Sequence, residues 1–446
     1  MQAGRIDIIT MGCSKNLVDS ERLMRRLEAK GYEMHHDSHD VCGEFVVINT
    51  CGFIGDAKEE SIDMILQIAR AKEDGRVGRI AVMGCLPERY IDELRQEIPE
   101  VDEWYGKYDW NRIVSSLPDR NTSGAAEPEL WERVLTGAPY SAYLKISEGC
   151  DRFCAYCAIP IITGRHHSRP VDEIVEEVRS LVGKGVTEFN VIAQDLSAYG
   201  TDIGYTNRED GTRSGLATLV DAIADVPGVR WIRLHYAYPV DFPWDVLEVM
   251  RRRENVCDYL DIALQHISTS VLTAMRRHID KDATMRLIER IRREVPGIRL
   301  RTTLMTGFPG EGDTEFAELV DFVREARFDR MGAFAYCEED GTYAQKHYDD
   351  DVPVEIKERR KQKILEIQEA ISAELNQKLV GRDLLMLIDR IEGDEAVGRS
   401  QWDSPEVDNE IRLSLPEGYA MPAPGTYIKV KITEADAFDL RAEITD

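Results

Sequence analysis

The chain has 446 residues, 43% of them hydrophobic, and a formal net charge of −26. This length exceeds one typical domain core, so we expect two or three domains. No apolar run is long enough to span a bilayer and no secretory signal opens the chain, which predicts a cytoplasmic protein without a membrane partner. The acidity disfavours phosphate backbones and favours a basic macromolecular partner, although acidity that only aids solubility explains the charge about equally well.

The first segment, residues 4–120, alternates short apolar runs with amphipathic helical stretches. The strand-like runs IDIITMG, FVVINT and RIAVMG are each followed by a cysteine: Cys13, Cys51 and Cys85. Helices are predicted over two ranges, Val18–Lys30 and Ala57–Lys72. This βαβαβ order predicts an α/β domain whose parallel sheet is covered by helices on both faces.

Residues 117–135 are polar and carry Pro, Gly and Ser, which predicts a linker or a surface excursion. In residues 136–375 six strand-like runs alternate with helical stretches and predict a partial (β/α) barrel of the TIM type, with functional groups at the carboxyl ends of its strands. These runs cover 142–147, 188–193, 231–236, 259–264, 299–305 and 332–336. Residues 377–446 hold eight basic and fifteen acidic side chains, and their short β-rich runs predict a small C-terminal β-barrel.

Cys150, Cys154 and Cys157 form a Cys-x3-Cys-x2-Cys pattern. Clustered cysteines in a reducing compartment indicate metal or redox chemistry. Three thiolates this close can hold three irons of a 4Fe–4S cube and leave the fourth iron open to S-adenosylmethionine, whose reductive cleavage gives a 5′-deoxyadenosyl radical. A zinc site with His166 or His167 as fourth ligand is the alternative, but the trio follows a strand and opens a barrel, which favours the cluster.

The other three strand-end cysteines form a second candidate site. Cys13, Cys51 and Cys85 are far apart in sequence, yet the carboxyl ends of parallel strands meet at one edge of a sheet. Three thiolates brought together there predict a second 4Fe–4S cluster. The alternative is three buried structural cysteines, because cysteine is among the most buried residue types.

Polar side chains follow the barrel strands and are candidates for binding S-adenosylmethionine or the substrate. They are Gln194, Gln265 and Thr306, each at a predicted strand end. Tyr156, which lies between two of the clustered cysteines, is a candidate for packing against the adenine ring. For the three strand-end residues, the alternative is that they satisfy backbone groups at the barrel rim.

The segments MGCSKN, NTCGFI, MGCLPERY, ISEGCDRFCAYCAIP, LDIALQHIS and TGFPGE together resemble the methylthiotransferase branch of the radical S-adenosylmethionine enzymes. The resemblance covers nearly the whole chain and implies a methylthiotransferase N-terminal domain, a radical core and a C-terminal TRAM domain. Lys15-Asn16, VIAQDLSAYGTD, LHYAYP and RSQWDSPEVD resemble the group that modifies an aspartate of small-subunit ribosomal protein 12. Ser14 and Cys337 depart from that group's usual pattern, in which Pro and Ser are common at these positions.

The resemblance implies a transferase that adds a methylthio group to the β-carbon of that aspartate, with two 4Fe–4S clusters and two molecules of S-adenosylmethionine per turnover. Its partners would be the basic ribosomal protein, free or on the ribosome, and an unidentified electron donor. An acidic last domain suits such a protein better than tRNA, and we expect Asp403, Glu406 and Asp408 to contribute to docking. The alternatives are a tRNA adenosine methylthiotransferase and, from another class, a non-catalytic iron–sulfur carrier or ribosome-assembly factor.

Overall fold

A computed structural model describes residues 2–121, 127–206, 212–415 and 419–445. The first sheet consists of five parallel strands: β1 (Gln2–Thr10), β2 (Glu33–His36), β3 (Gly43–Thr50), β4 (Arg79–Gly84) and β5 (Glu103–Trp104). The strands lie in the order β2-β1-β3-β4-β5. Four helices accompany them: α1 (Ser14–Ala29), α2 (Gly55–Glu73), α3 (Cys85–Glu97) and α4 (Trp110–Ser116).

Strand β3 shows why this sheet is covered on both faces. Seven of its eight residues are buried, and alternate side chains point to opposite sides of the sheet. Phe45 and Val47 join the apolar cluster on one face, whereas Val46 and Ile48 join the cluster on the other. Such a continuous apolar run is typical of a parallel strand between two helical layers.

The central part is an open sheet of six parallel strands in the order β6-β9-β10-β11-β12-β13. These are β6 (Ser141–Lys145), β9 (Glu188–Ile192), β10 (Trp231–Ala237), β11 (Val256–Ile262), β12 (Arg299–Thr306) and β13 (Arg330–Ala335). A separate antiparallel pair, β7 (Ser147–Glu148) and β8 (His167–Ser168), follows β6. The helices are α5 (Ile159–Thr163), α6 (Val171–Gly183), α7 (Gly215–Ala224), α8 (Asp245–Arg252), α9 (Thr269–Ala274), α10 (Lys281–Glu294), α11 (Asp313–Ala326), α12 (Tyr343–His347) and α13 (Val354–Gln377).

The C-terminal part is a closed five-stranded barrel in the order β14-β15-β16-β18-β17. Its strands are β14 (Asp383–Glu392), β15 (Glu395–Ser400), β16 (Glu410–Ser414), β17 (Tyr427–Ala435) and β18 (Asp439–Ile444). Inward-facing apolar side chains, among them Met386, Ile388, Ile411 and Val430, fill its interior and are fully buried. Closure pairs every strand with two neighbours and removes free sheet edges.

The predicted linker over 117–135 is partly wrong. Residues 122–126 lie outside the described residues, but Arg133 is only 2% exposed. Its guanidinium lies 2.6 Å from Glu21 of α1 and 2.8 Å from Glu177 of α6. This buried arginine joins a helix of the first part of the chain to a helix of the central part, which a surface excursion would not do.

The docking role expected for the DSPEVD stretch is wrong for two of its three carboxylates. Asp403 and Asp408 point inward, with Oδ1 of Asp403 2.5 Å from Arg330 and Oδ1 of Asp408 2.6 Å from Arg301. Glu406 is exposed. The two aspartates therefore hold the C-terminal barrel against the amino-terminal ends of β12 and β13 and are not available to a partner.

The predicted fold class is confirmed: a parallel-sheet α/β part, a central partial barrel and a small C-terminal β-barrel follow one another. Strands β2, β5, β8, β15 and β18 were not predicted. Among the described residues, no helix is both long and apolar enough to cross a membrane.

Candidate active site

The first cysteine trio lies at the carboxyl ends of neighbouring strands. Cys13 caps the start of α1, Cys51 directly follows β3, and Cys85 is the first residue of α3. Thr50 lies opposite Gly84 in the register of β3 and β4, so these two strands end level. Glycines next to Cys13 and Cys51 bring these segments against Cys51 and Cys85 respectively, so the three cysteines lie close together. Ligands bind at this edge of open parallel sheets.

Two glycines allow the cysteines to come this close. Gly12 has a φ of +90°, and a Cβ there would lie 2.7 Å from the Cβ of Cys51. A Cβ on Gly52 would lie 2.6 Å from the carbonyl oxygen of Cys85. Only glycine fits such an approach of two backbones. The Gly12-Cys13 and Cys51-Gly52 pairs therefore mark this close approach in the sequence, although strand pattern alone does not reveal it.

A buried cation lies beside the first trio. Nζ of Lys107 lies 3.2 Å from Asp19 and 3.8 Å from Glu148, and the residue is 3% exposed. Burial raises the pKa of Cys51 and raises that of Cys85 to about 12, whereas the Lys107 ammonium lowers both. A nearby cation favours the thiolate, which is the form that binds iron. Sequence patterns did not predict Lys107.

The second trio lies in the loop between β7 and α5. The backbone N–H of Cys150 donates to the carbonyl of Gly164 at 3.2 Å, and the N–H of Cys157 donates to the carbonyl of Cys154 at 3.1 Å. The backbone N–H of Ile159 donates to Sγ of Cys157 at 3.4 Å. Burial raises the pKa of Cys150 to about 12 and also raises that of Cys157. Hydrogen bonds thus fix the loop with its three thiols half-buried.

A buried arginine contacts the second trio. Nη1 of Arg277 donates to Sγ of Cys154 at 3.2 Å and to the hydroxyl of Tyr156 at 3.3 Å. Its other nitrogen donates to the carbonyl of Ala263, and the guanidinium lies 4.2 Å from the centre of the Tyr238 ring. Such contacts orient a metal ligand and tune the potential of an iron–sulfur cluster. Arg277 was not predicted from the sequence.

The two histidines considered as zinc ligands contact other side chains and not the cysteines. His166 and His167 each lie 3.6 Å from Asp202, and Nε2 of His166 also contacts the hydroxyl of Ser168 at 3.0 Å. Within the described ranges, no three His, Cys, Asp or Glu side chains are grouped as ligands of a single metal ion. The cysteines of an iron–sulfur cube bind separate irons and need not meet at such a spacing.

Unpaired polar atoms lie at the carboxyl ends of the central strands. Gln194 donates to Glu148, but its Oε1 is buried and has no hydrogen-bond partner among the described residues. The same holds for Oε1 of Gln265 and for the hydroxyl of Tyr336. Gln265 also has a φ of +72°, a strained conformation that is common at functional sites. Buried polar groups without partners suit a polar ligand, so this rim fits S-adenosylmethionine.

The other two predicted cofactor residues have protein partners. The hydroxyl of Thr306 donates to the carbonyl of Lys357 at 3.0 Å, which anchors α13 to the end of β12. Tyr156 packs edge-on against Phe308, with ring centres 6.4 Å apart. Their roles toward the cofactor stay predictions.

The two cysteine trios are neighbours in space. Cys85 forms a small buried apolar cluster with Ala158 and Ile162. Ala158 directly follows Cys157, and Tyr108 donates to the carbonyl of Thr163 at 2.8 Å in the same contact. The crevice of the first sheet therefore opens toward the loop that carries the second trio.

Three families match successive parts of the chain. Residues 5–106 match the family described as Uncharacterized protein family UPF0004, residues 144–323 match the Radical SAM superfamily, and residues 380–445 match the TRAM domain. The solved structure of the radical S-adenosylmethionine methyltransferase TsrM from Kitasatospora setae has a TM-score of 0.54 at 13% identity. It covers 75% of this chain and 72% of its own, and shows likeness of fold alone. Fold, cysteine loop and matched family define a radical S-adenosylmethionine enzyme.

Relatives that match over their full length show to which family of radical S-adenosylmethionine enzymes the chain belongs. The ribosomal protein uS12 methylthiotransferase RimO of Phocaeicola vulgatus is 56% identical over 444 residues, with 100% of each chain covered. The protein of the same name from Bacteroides thetaiotaomicron is 55% identical over 445 residues, covering 100% of this chain and 99% of its own. The chain belongs to the RimO family of ribosomal protein uS12 methylthiotransferases.

Proposed function

We propose that this protein adds a methylthio group to the β-carbon of an aspartate in small-subunit ribosomal protein 12. The observation that carries the proposal is the contact of Cys85 with Ala158, which brings the two cysteine trios together. Two sulfur-rich sites this close together can act on the same substrate carbon. The names of the full-length relatives support the same reaction.

We infer two 4Fe–4S clusters, one held by each trio: Cys13, Cys51 and Cys85, and Cys150, Cys154 and Cys157. When bound, the second cluster with S-adenosylmethionine would supply a 5′-deoxyadenosyl radical, and the first would supply the sulfur. Arg277 would hold Cys154 in place, and Lys107 would stabilise anionic sulfur in the first trio. Each site thus has its own buried cation.

The strand-end residues would bind and orient the organic ligands. The buried oxygens of Gln194 and Gln265 would accept hydrogen bonds from S-adenosylmethionine or from the substrate. Tyr156 would pack near the adenine, and Thr306 would keep the cavity wall in place through its bond to Lys357.

Charge supports a basic protein as the substrate. The chain carries −26, so the approach of a basic ribosomal protein is favoured and that of RNA is opposed at long range. We infer action in the cytoplasm, where that substrate is made, on the free protein or on the ribosome. An electron donor is also required. We infer that the chain has three domains, over residues 4–120, 136–375 and 377–446.

The test is anaerobic reconstitution followed by mass spectrometry of ribosomal protein 12 and of tRNA. The protein should carry about eight irons and should form 5′-deoxyadenosine and methylthio-aspartate. Replacing Cys150, Cys154 and Cys157 with Ala should leave about half the iron and abolish 5′-deoxyadenosine. Replacing the first trio should spare 5′-deoxyadenosine but stop the methylthio product.

Each alternative has its own outcome in this experiment. Methylthio-adenosine in tRNA with an unmodified ribosomal protein would identify the tRNA enzyme instead. Iron without any 5′-deoxyadenosine would identify an iron–sulfur carrier or assembly factor. Full product from the variant of the first trio would leave those cysteines with a structural role alone.

A further inference from the structure

Lys15 occupies an unusual position between the two cysteine trios. It is the second residue of α1 and lies two positions after Cys13. Its Nζ lies 3.7 Å from the centre of the Tyr236 ring, at the carboxyl end of β10. Lys15 therefore reaches from the edge of the first sheet to the mouth of the central barrel.

Other basic side chains around this gap already have anionic partners within the protein. The contacts are Lys107 and Lys145 with Asp19, Lys58 and Arg89 with Glu339, and Arg152 with Asp195. Arg277 donates to the thiol of Cys154. In the described parts of the chain, Lys15 has no carboxylate within 4.0 Å. In a protein of net charge −26, this ammonium lies beside the site without a direct ion pair to a described residue, and it acts only through space on the buried carboxylate of Asp261.

Tyr236 holds the ammonium in place at the cavity. The tyrosine has a φ of +65°, a strained conformation, and its side chain is 39% exposed. Its backbone N–H donates to Asp261 at 3.3 Å, which fixes this conformation. Two residues further on, the hydroxyl of Tyr238 lies 3.8 Å from Sγ of Cys154. The Lys15–Tyr236 contact thus joins the start of α1, which follows Cys13, to the end of β10, where Tyr238 contacts Cys154.

We propose that the ammonium of Lys15 binds the side-chain carboxylate of the target aspartate. This inference rests on the proposed function, in which that aspartate reacts at its β-carbon. The ring of Tyr236 covers one side of the ammonium and leaves its remaining N–H groups to donate to an incoming carboxylate. Because the β-carbon is bonded directly to the carboxyl carbon, holding the carboxylate also positions the reacting carbon between the two trios. Lys15 would thereby distinguish aspartate from asparagine.

The test measures binding of ribosomal protein 12, with the target Asp or with Asn in its place, to the full reconstituted chain without S-adenosylmethionine or reductant. The wild-type chain should bind the Asp form about tenfold to a hundredfold more tightly, the effect of one charged hydrogen bond. Lys15→Gln should bind both forms about equally, and Lys15→Arg should keep part of the preference. Iron content and melting temperature show that each variant is folded and loaded.

The matched control is Lys363→Gln, which removes the same charge from α13, where Lys363 is exposed and lies 3.8 Å from Glu366. It should keep the wild-type preference. A folded Lys15→Gln variant with an undiminished preference for Asp would overturn the proposal, as would a wild-type chain with none. Absence of methylthio product from the wild-type enzyme, with preference intact, would instead overturn the proposed function.

Discussion

Replacing Glu188 with Gln should destabilise the contact between the C-terminal barrel and the central sheet, although the ion pairs of Asp403 and Asp408 still join the two parts. The Glu188 carboxylate is fully buried, 2.6 Å from Arg233 and 2.9 Å from both terminal nitrogens of Arg399 on β15. Burial opposes its charge, but the two guanidinium groups hold the pKa of Glu188 well below its usual range. Gln keeps the shape and leaves two buried cations without their shared anion. Breaking such a buried pair costs about 3–5 kcal/mol.

The assay is thermal unfolding of the iron-free chain, followed by circular dichroism at neutral pH. For a domain of about 150–250 residues, such as the central part of this chain, a loss of 3–5 kcal/mol corresponds to a fall in Tm of about 6–20 °C. The control is Glu173→Gln, because Glu173 is one-third exposed in its pair with Arg169 and should cost about 1 kcal/mol or less. Proteolysis after α13 should also become faster in Glu188→Gln. A variant that melts with the control and resists protease would refute the reasoning.

Two further predictions concern the first sheet. Gly52→Ala should lower the iron bound by the first trio while the second trio stays loaded. The reason is that the Cβ of the new alanine would clash with the backbone of Cys85. Unchanged total iron in the reconstituted variant would contradict this. Asp19 is half-buried, and although burial opposes its charge, Lys145 and Lys107 lower its pKa to about 2. Its contribution of about 2 kcal/mol is present above pH 4 and lost as the pH falls toward 2. Asp19→Asn should therefore flatten the acid dependence of stability measured by urea unfolding, and an unchanged dependence would count against it.

Local pattern predicted the buried strands well because their environment is uniform. The run RIAVMG was expected over residues 79–84 and forms β4 at those positions, bounded by glycines at 78 and 84. The edge strand β2 has the sequence EMHH and only partly buried side chains, so no apolar alternation marks it. Helix α1 begins at Ser14, four residues before the expected Val18. The apolar periodicity missed its first turn because the residues of that turn are polar.

In the candidate site, too, one part could be predicted from the sequence and another could not. The positions of Cys13, Cys51 and Cys85 follow from strand topology, which the alternation of elements already determines. The residues that contact the cysteines could not be predicted from strand topology, because they come from distant parts of the chain. Arg277 lies 123 residues from Cys154 in sequence. The aspartates of DSPEVD show the converse error: a polar turn read as solvent-exposed is buried because Arg301 and Arg330 lie opposite it.

The most direct test of the central claim uses ribosomal protein 12 with deuterium at the β-carbon of the target aspartate. The reconstituted enzyme, S-adenosylmethionine and a reductant are combined under anaerobic conditions, and both products are analysed by mass spectrometry. We predict deuterium in 5′-deoxyadenosine together with one methylthio group on the same aspartate. Methylthio product with unlabelled 5′-deoxyadenosine, or a methylthio group found on tRNA instead, would contradict it.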